Sequence, residues 1–278
     1  MPEPPVPARS LSAREAEVVA WLESERRPTV TPKEVAEQFP WTRNTIWQVL
    51  SRLNRKGWLV RTARGRYETV LAETGGYALP NPWAALSMWR QPYYVGFQSA
   101  AYEHGLTPDR PGAVQACVAK GAKRPLAWQQ FPIVLVHLRS FTREGTNAEE
   151  HHGFQVWMAS REVVLIDGAS VLSRIGGLPG LTRIVDRAMD QIDWTRLVAL
   201  SSKTSRGNVA LRRLAALIEL TSGEVPAPLR RAATQVAEAH SPIYLGERRI
   251  FGTSGDLLSR FGVVNNVSPE ALREEVRR

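Results

Sequence analysis

Residues 42–57 read TRNTIWQVLSRLNRKG, and this stretch decides the fold of the first part of the chain. Thr42 is a good N-cap for a helix, and Gly57 is typical of the position just past a helix end. Apolar side chains recur between them at the spacing of one helical face, at Ile46, Val49, Leu50 and Leu53. The stretch therefore predicts an amphipathic helix.

Two shorter helices are predicted before it. SARE at 12–15 and TPKE at 31–34 have the Ser/Thr-x-x-Glu form of a capping box, which satisfies backbone amides at a helix start. Pro32 strengthens the second prediction, because proline at the first helical position loses no hydrogen bond. Pro28 and Pro40 end the two helices.

Two short strands around a basic turn follow the third helix. The strands are predicted at 58–61 and 66–70, and a glycine-containing turn at 62–65 joins them. Three helices and a wing in this order are the pattern of a winged helix-turn-helix. We therefore expect this domain to span residues 11–72, after a disordered Pro-rich tail at 1–10.

The charges of this domain predict that it binds double-stranded DNA. No acidic residue lies between Glu37 and Glu68, whereas seven basic residues do, and the whole chain has a formal charge of +9. An ordinary solvated helix mixes both signs of charge, and an acid at its start favours its dipole. An acid-free helix is expected beside phosphates, because they repel carboxylates. The alternative is a merely basic surface.

We assign two kinds of DNA contact from where the polar and basic residues lie on the third helix and on the wing. Residues near the helix start, away from the apolar face, are of the types that hydrogen-bond to base edges in the major groove: Arg43, Asn44, Thr45 and Gln48. Other polar and basic residues are assigned to the DNA backbone: Thr42, Arg52, Arg55, Lys56, Arg61, Arg64 and Arg66.

Residues 73–278 are predicted to form a larger α+β domain, joined to the first through a hinge at 72–76. Alternating apolar stretches predict a small, mainly antiparallel sheet with strands at 113–119, 133–138 and 154–158. Helical patterns predict a helical second half, with helices at 161–172, 181–189, 194–200, 208–221 and 227–239. A sheet followed by helices makes the fold class α+β.

No catalytic, metal-binding or cofactor-binding constellation is expected, so the chain is predicted not to be an enzyme. The EEHH sequence at 149–152 lies among glycine and asparagine residues, which favours a solvated loop over a metal cluster. Glu162 and Asp167 are five positions apart and lie on different faces of one helix, which disfavours a paired acid and base. Asp167 is expected to hold a structural hydrogen bond instead.

Two further acid-free stretches, 111–143 and 194–218, predict a secondary basic patch. The patch comprises Lys120, Lys123, Arg124 and Arg206, and the second stretch also contains Arg212 and Arg213. These charges are either solvated or contact DNA backbone or an acidic partner. No apolar run approaches the length of a membrane span, so a cytoplasmic protein without membrane contact is expected.

Several motifs, in order, resemble those of the AbiEi-type antitoxins of type IV toxin–antitoxin systems. They are GWLVR at 57–61, GRY at 65–67, YYVG at 93–96, SAAYEHGL at 99–106, VWMASREVVLID at 156–167 and GGL at 176–178. One departure is the Arg161-Glu162 pair, where the family usually has Glu-Arg.

The resemblance implies a protein with two activities. The N-terminal domain would bind repeats in its own promoter and repress the operon. The C-terminal domain would counter a cognate nucleotidyltransferase-like toxin without a stable complex. The alternative is a winged-helix transcription factor whose C-terminal domain senses a ligand or oligomerises.

Overall fold

The computed structural model describes residues 11–25, 27–70, 81–125 and 131–277. The predicted tail at 1–10, the hinge at 72–76 and the predicted domain boundary after residue 72 lie outside these residues. The chain divides into two compact units. The smaller unit comprises Met1–Gln91, Lys123–Ile133 and Glu150–Val156, and the larger comprises Pro92–Ala122, Val134–Glu149 and Trp157–Arg278.

The described part of residues 11–70 contains three helices and a three-stranded antiparallel sheet. The helices are α1 (Ala13–Ser24), α2 (Pro32–Gln38) and α3 (Arg43–Arg55), and the strands are β1 (Thr29–Val30), β2 (Leu59–Ala63) and β3 (Arg66–Thr69) in the order β1-β3-β2. Both predicted capping boxes form. Glu15 accepts a hydrogen bond from the Ser12 amide, and Glu34 accepts one from the Thr31 amide, both at 2.7 Å.

The apolar stripe of α3 lies in the core of this helical part. The side chains that pack together there include Val18, Leu22, Val35, Ile46, Leu50 and Leu53. Full burial of such a side chain contributes about 1.5–3 kcal/mol. The stripe therefore fixes which face of α3 points inward and which face points to solvent.

A five-stranded sheet has the order β6-β5-β4-β8-β7. Its strands are β4 (Tyr93–Val95), β5 (Val114–Ala119), β6 (Ile133–Leu138), β7 (Thr146–His151) and β8 (Phe154–Ala159). Strand β4 is antiparallel to β5 and parallel to β8. The fold is therefore mixed α+β with small, mainly antiparallel sheets, as the sequence predicts.

The predicted loop around the EEHH sequence is wrong. Strand β7 runs through His151, and a tight turn at His152 and Gly153 leads into β8. Both turn residues have positive φ, 53° and 80°, which is the backbone that favours a two-residue hairpin. The rings of His151 and His152 lie 5.7 Å and 5.2 Å from the Trp83 ring, so they pack on an aromatic side chain.

The helices beyond β3 are α4 (Pro82–Ser87), α5 (Phe97–Glu103), α6 (Arg161–Ser170), α7 (Gly177–Ala188), α8 (Trp194–Ser201), α9 (Gly207–Thr221), α10 (Ala227–Glu238), α11 (Arg248–Phe251) and α12 (Pro269–Val276). A small sheet, ordered β10-β11-β9, is formed by β9 (Ile243–Tyr244), β10 (Asp256–Leu258) and β11 (Val263–Asn265). None of the helices in the described ranges is long and apolar enough to cross a membrane.

Two arginines of the stretch 194–218 are structural, which corrects their interpretation as solvated or partner-binding charges. Arg212 is 1% exposed and donates hydrogen bonds to the carbonyl oxygens of Phe261, Ser241 and Gly262. Arg213 donates to the carbonyls of Ala169, Tyr244 and Leu245. These two side chains attach α9 to the C-terminal segment and to the end of α6.

Candidate nucleic-acid interface

The outer face of α3 presents a continuous polar stripe. Asn44, Gln48, Arg52 and Arg55 follow one another at four-, four- and three-residue spacing, and all four are exposed. Residues at this spacing lie on one side of a helix. The buried stripe of Ile46, Val49, Leu50 and Leu53 holds the other side of α3 against the core.

Six exposed basic and amide side chains of α3 and of the β2–β3 turn are unpaired among the described residues. Among the residues that the structure describes, none provides a hydrogen bond or an ion pair to the side chains of Arg43, Asn44, Gln48, Arg52, Arg55 or Arg64. Each therefore retains its full donor capacity for an external partner. The arginines carry five N–H donors each, and the two amides carry both donors and acceptors.

The two threonines at the start of α3 are arranged as a cap. Thr42 accepts a hydrogen bond from the Thr45 amide at 3.3 Å, and the two hydroxyl oxygens lie 2.9 Å apart. Thr45 is half-buried, whereas Arg43 and Asn44 are exposed beside it. The predicted base-reading residues thus lie together in the first two turns of α3, with Thr45 the least accessible.

The turn between β2 and β3 lies next to α3. Gly65 has a φ of 69°, and a Cβ added to it would lie 3.4 Å from the tip of the Trp47 ring and 3.9 Å from Pro32. Trp47 is half-buried. The turn that contains the exposed Arg64 therefore lies close to the Trp47 ring of α3.

Two arginines of strands β2 and β3 have intramolecular contacts. The Arg66 guanidinium donates to the Met88 carbonyl at 3.0 Å, and the half-buried Arg66 side chain is therefore held against the segment that follows α4. The Arg61 side chain donates to the Ala63 carbonyl at 3.3 Å but is exposed. The Arg61 amide donates to the Asn54 side chain at 3.0 Å, which fixes β2 to the end of α3.

Lys56 forms an ion pair inside the smaller unit. Its ammonium lies 2.6 Å from the carboxylate of Glu15, whose side chain is 1% exposed. This contact engages Lys56 at the end of α3, on the side that faces α1. Its predicted role as a DNA-backbone contact stays a prediction.

The two acids that bound the acid-free stretch have different surroundings. Glu37 lies 3.6 Å from Lys33 in an ion pair one helical turn apart. Glu68 is 7% exposed, and burial raises its pKa to about 7 despite a hydrogen bond from the Asn81 backbone. Its carboxyl therefore carries only part of a charge at neutral pH.

The members of the predicted secondary patch are all exposed. The division into units assigns Lys120 and Arg206 to the larger unit and Lys123 and Arg124 to the smaller one. Arg124 donates to the Phe131 carbonyl at 2.8 Å, and Arg206 donates to the Ser170 carbonyl at 3.3 Å. Both arginines therefore have backbone anchors within their own units.

The larger unit contains a cavity of about 420 Å³ that sequence reasoning missed. Tyr94 and Asp167 line it, and the Tyr94 hydroxyl donates to the Asp167 carboxyl at 2.8 Å. The hydrogen bond expected for Asp167 is thus present. Burial raises the pKa of Asp167 to about 7, although this hydrogen bond opposes the shift.

The Glu162 carboxylate accepts hydrogen bonds from other groups, the Ser160 hydroxyl at 2.7 Å and the Asp193 amide at 3.3 Å.

The residues that the structure describes contain no group of three or more histidine, cysteine or acidic side chains placed to hold a metal ion. Glu162 and Asp167 accept their hydrogen bonds from different donors.

Solved structures include one that is similar over the whole chain. It is the crystal structure of the RV2827C protein from Mycobacterium tuberculosis, with a TM-score of 0.70 and 17% sequence identity over 99% of this chain and 98% of that chain. No family model matches the chain. No curated protein matches it either. At this identity the likeness establishes a shared fold.

Proposed function

We propose that this chain is a DNA-binding transcriptional regulator whose N-terminal part acts as a winged helix-turn-helix. The observation that carries the proposal is the exposed, unpaired stripe on α3, opposite a fully apolar buried face. In this assignment Arg43, Asn44 and Gln48 read base edges in the major groove, while Arg52, Arg55 and Arg64 contact phosphates.

We further propose that the chain represses its own operon and serves as an AbiEi-type antitoxin against a nucleotidyltransferase-like toxin. The ordered motif resemblance supports this role. Promoter binding alone does not separate an antitoxin from an ordinary repressor, because both bind the operator. The two roles differ in whether the larger unit counters a toxin.

The experiment has two arms and uses the full chain. In the first, a duplex from the chain's own upstream region is titrated at several salt concentrations, with a shuffled duplex as control. The proposal predicts tighter binding to the upstream duplex and a linear fall of log K with log salt. Equal affinity for both duplexes would contradict autoregulation.

In the second arm, the full chain is co-expressed with the protein encoded immediately downstream, which the antitoxin role predicts to be a nucleotidyltransferase-like toxin. The antitoxin role predicts restored growth, and restoration by an Arg43→Ala/Gln48→Ala variant expressed from an unrelated promoter. Growth arrest in the presence of abundant, folded full chain would contradict the antitoxin role and leave the DNA-binding role standing.

The cavity of the larger unit favours a second candidate function, a transcription factor with a ligand-sensing domain. A concave, mostly apolar pocket with a few polar groups is the usual form of a small-molecule site. In this case a ligand would change operator affinity, and no toxin would be needed.

A further inference from the structure

The cavity in the larger unit combines an apolar interior with one buried polar pair. Its walls are formed in part by Phe97, Leu138, Val163, Ile166 and Leu200. Tyr94 and Asp167 are 3% and 6% exposed, and their mutual hydrogen bond leaves further lone pairs on both groups. A volume of about 420 Å³ lies within the range of 300–1,000 Å³ that is typical of small-molecule pockets.

Backbone strain is present at the wall of the same cavity. Phe97 lines it and has a φ of 50°, in the left-handed region that bulky residues rarely adopt. The residue before it must be glycine, because a Cβ on Gly96 would lie 2.8 Å from the Cys117 sulfur. Strain of this kind persists where the surrounding structure enforces it, and it is concentrated at ligand sites.

The entrance of the cavity is positively charged. Arg139 and Arg206 line the cavity and are exposed, as is His137, which also lines it. The described residues give the Arg139 side chain no ion-pair partner. Glu144 also lines the entrance, but Lys203 lies 3.8 Å from its carboxylate and offsets its charge.

We propose that this cavity is a binding site for a small amphipathic organic anion. The apolar body of the ligand would fill the space between Phe97, Ile166 and Leu200. Its carboxylate or phosphate would pair with Arg139 and Arg206, because guanidinium groups bind both anions in a bidentate manner. The proposal rests on the ligand-sensing candidate function for its biological role, but the binding itself is independent of DNA.

The test uses the full chain and the fluorescent probe 8-anilinonaphthalene-1-sulfonate, an aromatic body with one sulfonate. We expect saturable binding of one probe per chain with increased fluorescence. Decanoate and decyl phosphate should displace the probe, and decanol, which lacks the charge, should displace it at least tenfold less effectively. The more effective of the two anions identifies the preferred headgroup.

Substitutions in the cavity lining test whether the probe binds there. Arg139→Gln/Arg206→Gln should weaken probe binding about tenfold, whereas Arg187→Gln, at an exposed arginine of α7 outside the cavity lining, should leave it unchanged. Leu200→Trp should abolish binding by filling the cavity. Ser205→Trp, at an exposed position of the lining, serves the same purpose if circular dichroism shows that Leu200→Trp is unfolded.

Probe fluorescence that does not saturate, or that is equal in the wild type and in every cavity variant, would overturn the proposal. Equal displacement by decanol and decanoate would overturn the anion specificity. Operator binding is measured on the same samples. Probe binding without operator binding contradicts the DNA-binding function alone, and operator binding without probe binding contradicts the cavity proposal alone.

Discussion

The ammonium of Lys56, after the end of α3, lies 2.6 Å from the buried carboxylate of Glu15 in the capping box of α1. Burial raises the pKa of Glu15, but hydrogen bonds from Lys56 and Ser12 and the charge of Lys56 lower it below its usual value. The pair therefore connects the start of the first helix to the end of the third.

Lys56→Gln should destabilise the smaller unit, because it leaves a buried carboxylate without its cation. We expect a loss of roughly 1–3 kcal/mol in the free energy of unfolding, measured by urea titration at pH 7. Arg55→Gln is the matched control, since Arg55 is the exposed neighbour. Equal stability of the two variants would show that the ion pair contributes nothing.

Arg64 and Arg66 flank the same turn but should respond differently. Arg64→Gln should lower the slope of log K against log salt by about 0.9, because one phosphate contact is lost. Arg66→Gln should lower stability, since the Arg66 guanidinium is bonded to the Met88 carbonyl. Salt titrations and thermal unfolding of both variants provide the measurement. The assignment fails if Arg64→Gln leaves the salt slope unchanged.

Arg212→Met should destabilise the larger unit by at least about 2 kcal/mol, because three backbone carbonyls lose their donor. The exposed Arg206→Gln, on the same basic stretch, should change stability by no more than about 0.5 kcal/mol. Chemical unfolding followed by tryptophan fluorescence measures both. An unchanged midpoint for Arg212→Met would refute the structural role of this arginine.

Asp167 should make the stability of the larger unit depend on pH. Its pKa is about 7 in the folded chain and near 3.8 when unfolded, so the folded state binds more protons between these values. The free energy of unfolding should therefore fall as the pH rises from about 4 to about 7, by at most a few kcal/mol, and be flat above that range.

Asp167→Asn should remove this dependence and keep an acceptor for the Tyr94 hydroxyl. The measurement is the difference in unfolding free energy between the wild type and the variant at pH 5 and at pH 8. Glu68 contributes a second dependence of the same sign in the smaller unit, and it cancels in that difference. A difference that is independent of pH would contradict the account.

Local signals in the sequence predict α1, α2 and α3 because caps and apolar spacing act within a few residues. Strand β1 is only two residues long and has no periodicity, and it forms because Thr29 and Val30 pair with Glu68 and Tyr67. Strand β7 is polar, so its pattern predicts a loop, and its pairing with β8 overrides that pattern.

The sequence predicts the charges of the candidate interface but not all of the contacts that these charges make. The sequence shows that Lys56 and Arg66 are basic, whereas their partners Glu15 and Met88 lie 41 and 22 residues away along the chain. No local rule distinguishes such a cation from one that binds phosphate. The cavity was missed for a related reason, because it is assembled from segments between Tyr94 and Arg206 that meet only in the folded chain.

We propose that the start of α3 reads the bases of duplex DNA, and a paired titration separates base reading from phosphate contact. Arg43→Ala and Gln48→Ala are titrated against the operator and against a random duplex at one salt concentration, with Arg52→Ala as the phosphate-contact control.

If these residues read bases, each of the two helix-start variants loses about 1–3 kcal/mol more binding free energy on the operator than on the random duplex. Arg52→Ala should lose the same amount on both DNAs. Equal losses on both duplexes for Arg43→Ala and Gln48→Ala would contradict the claim.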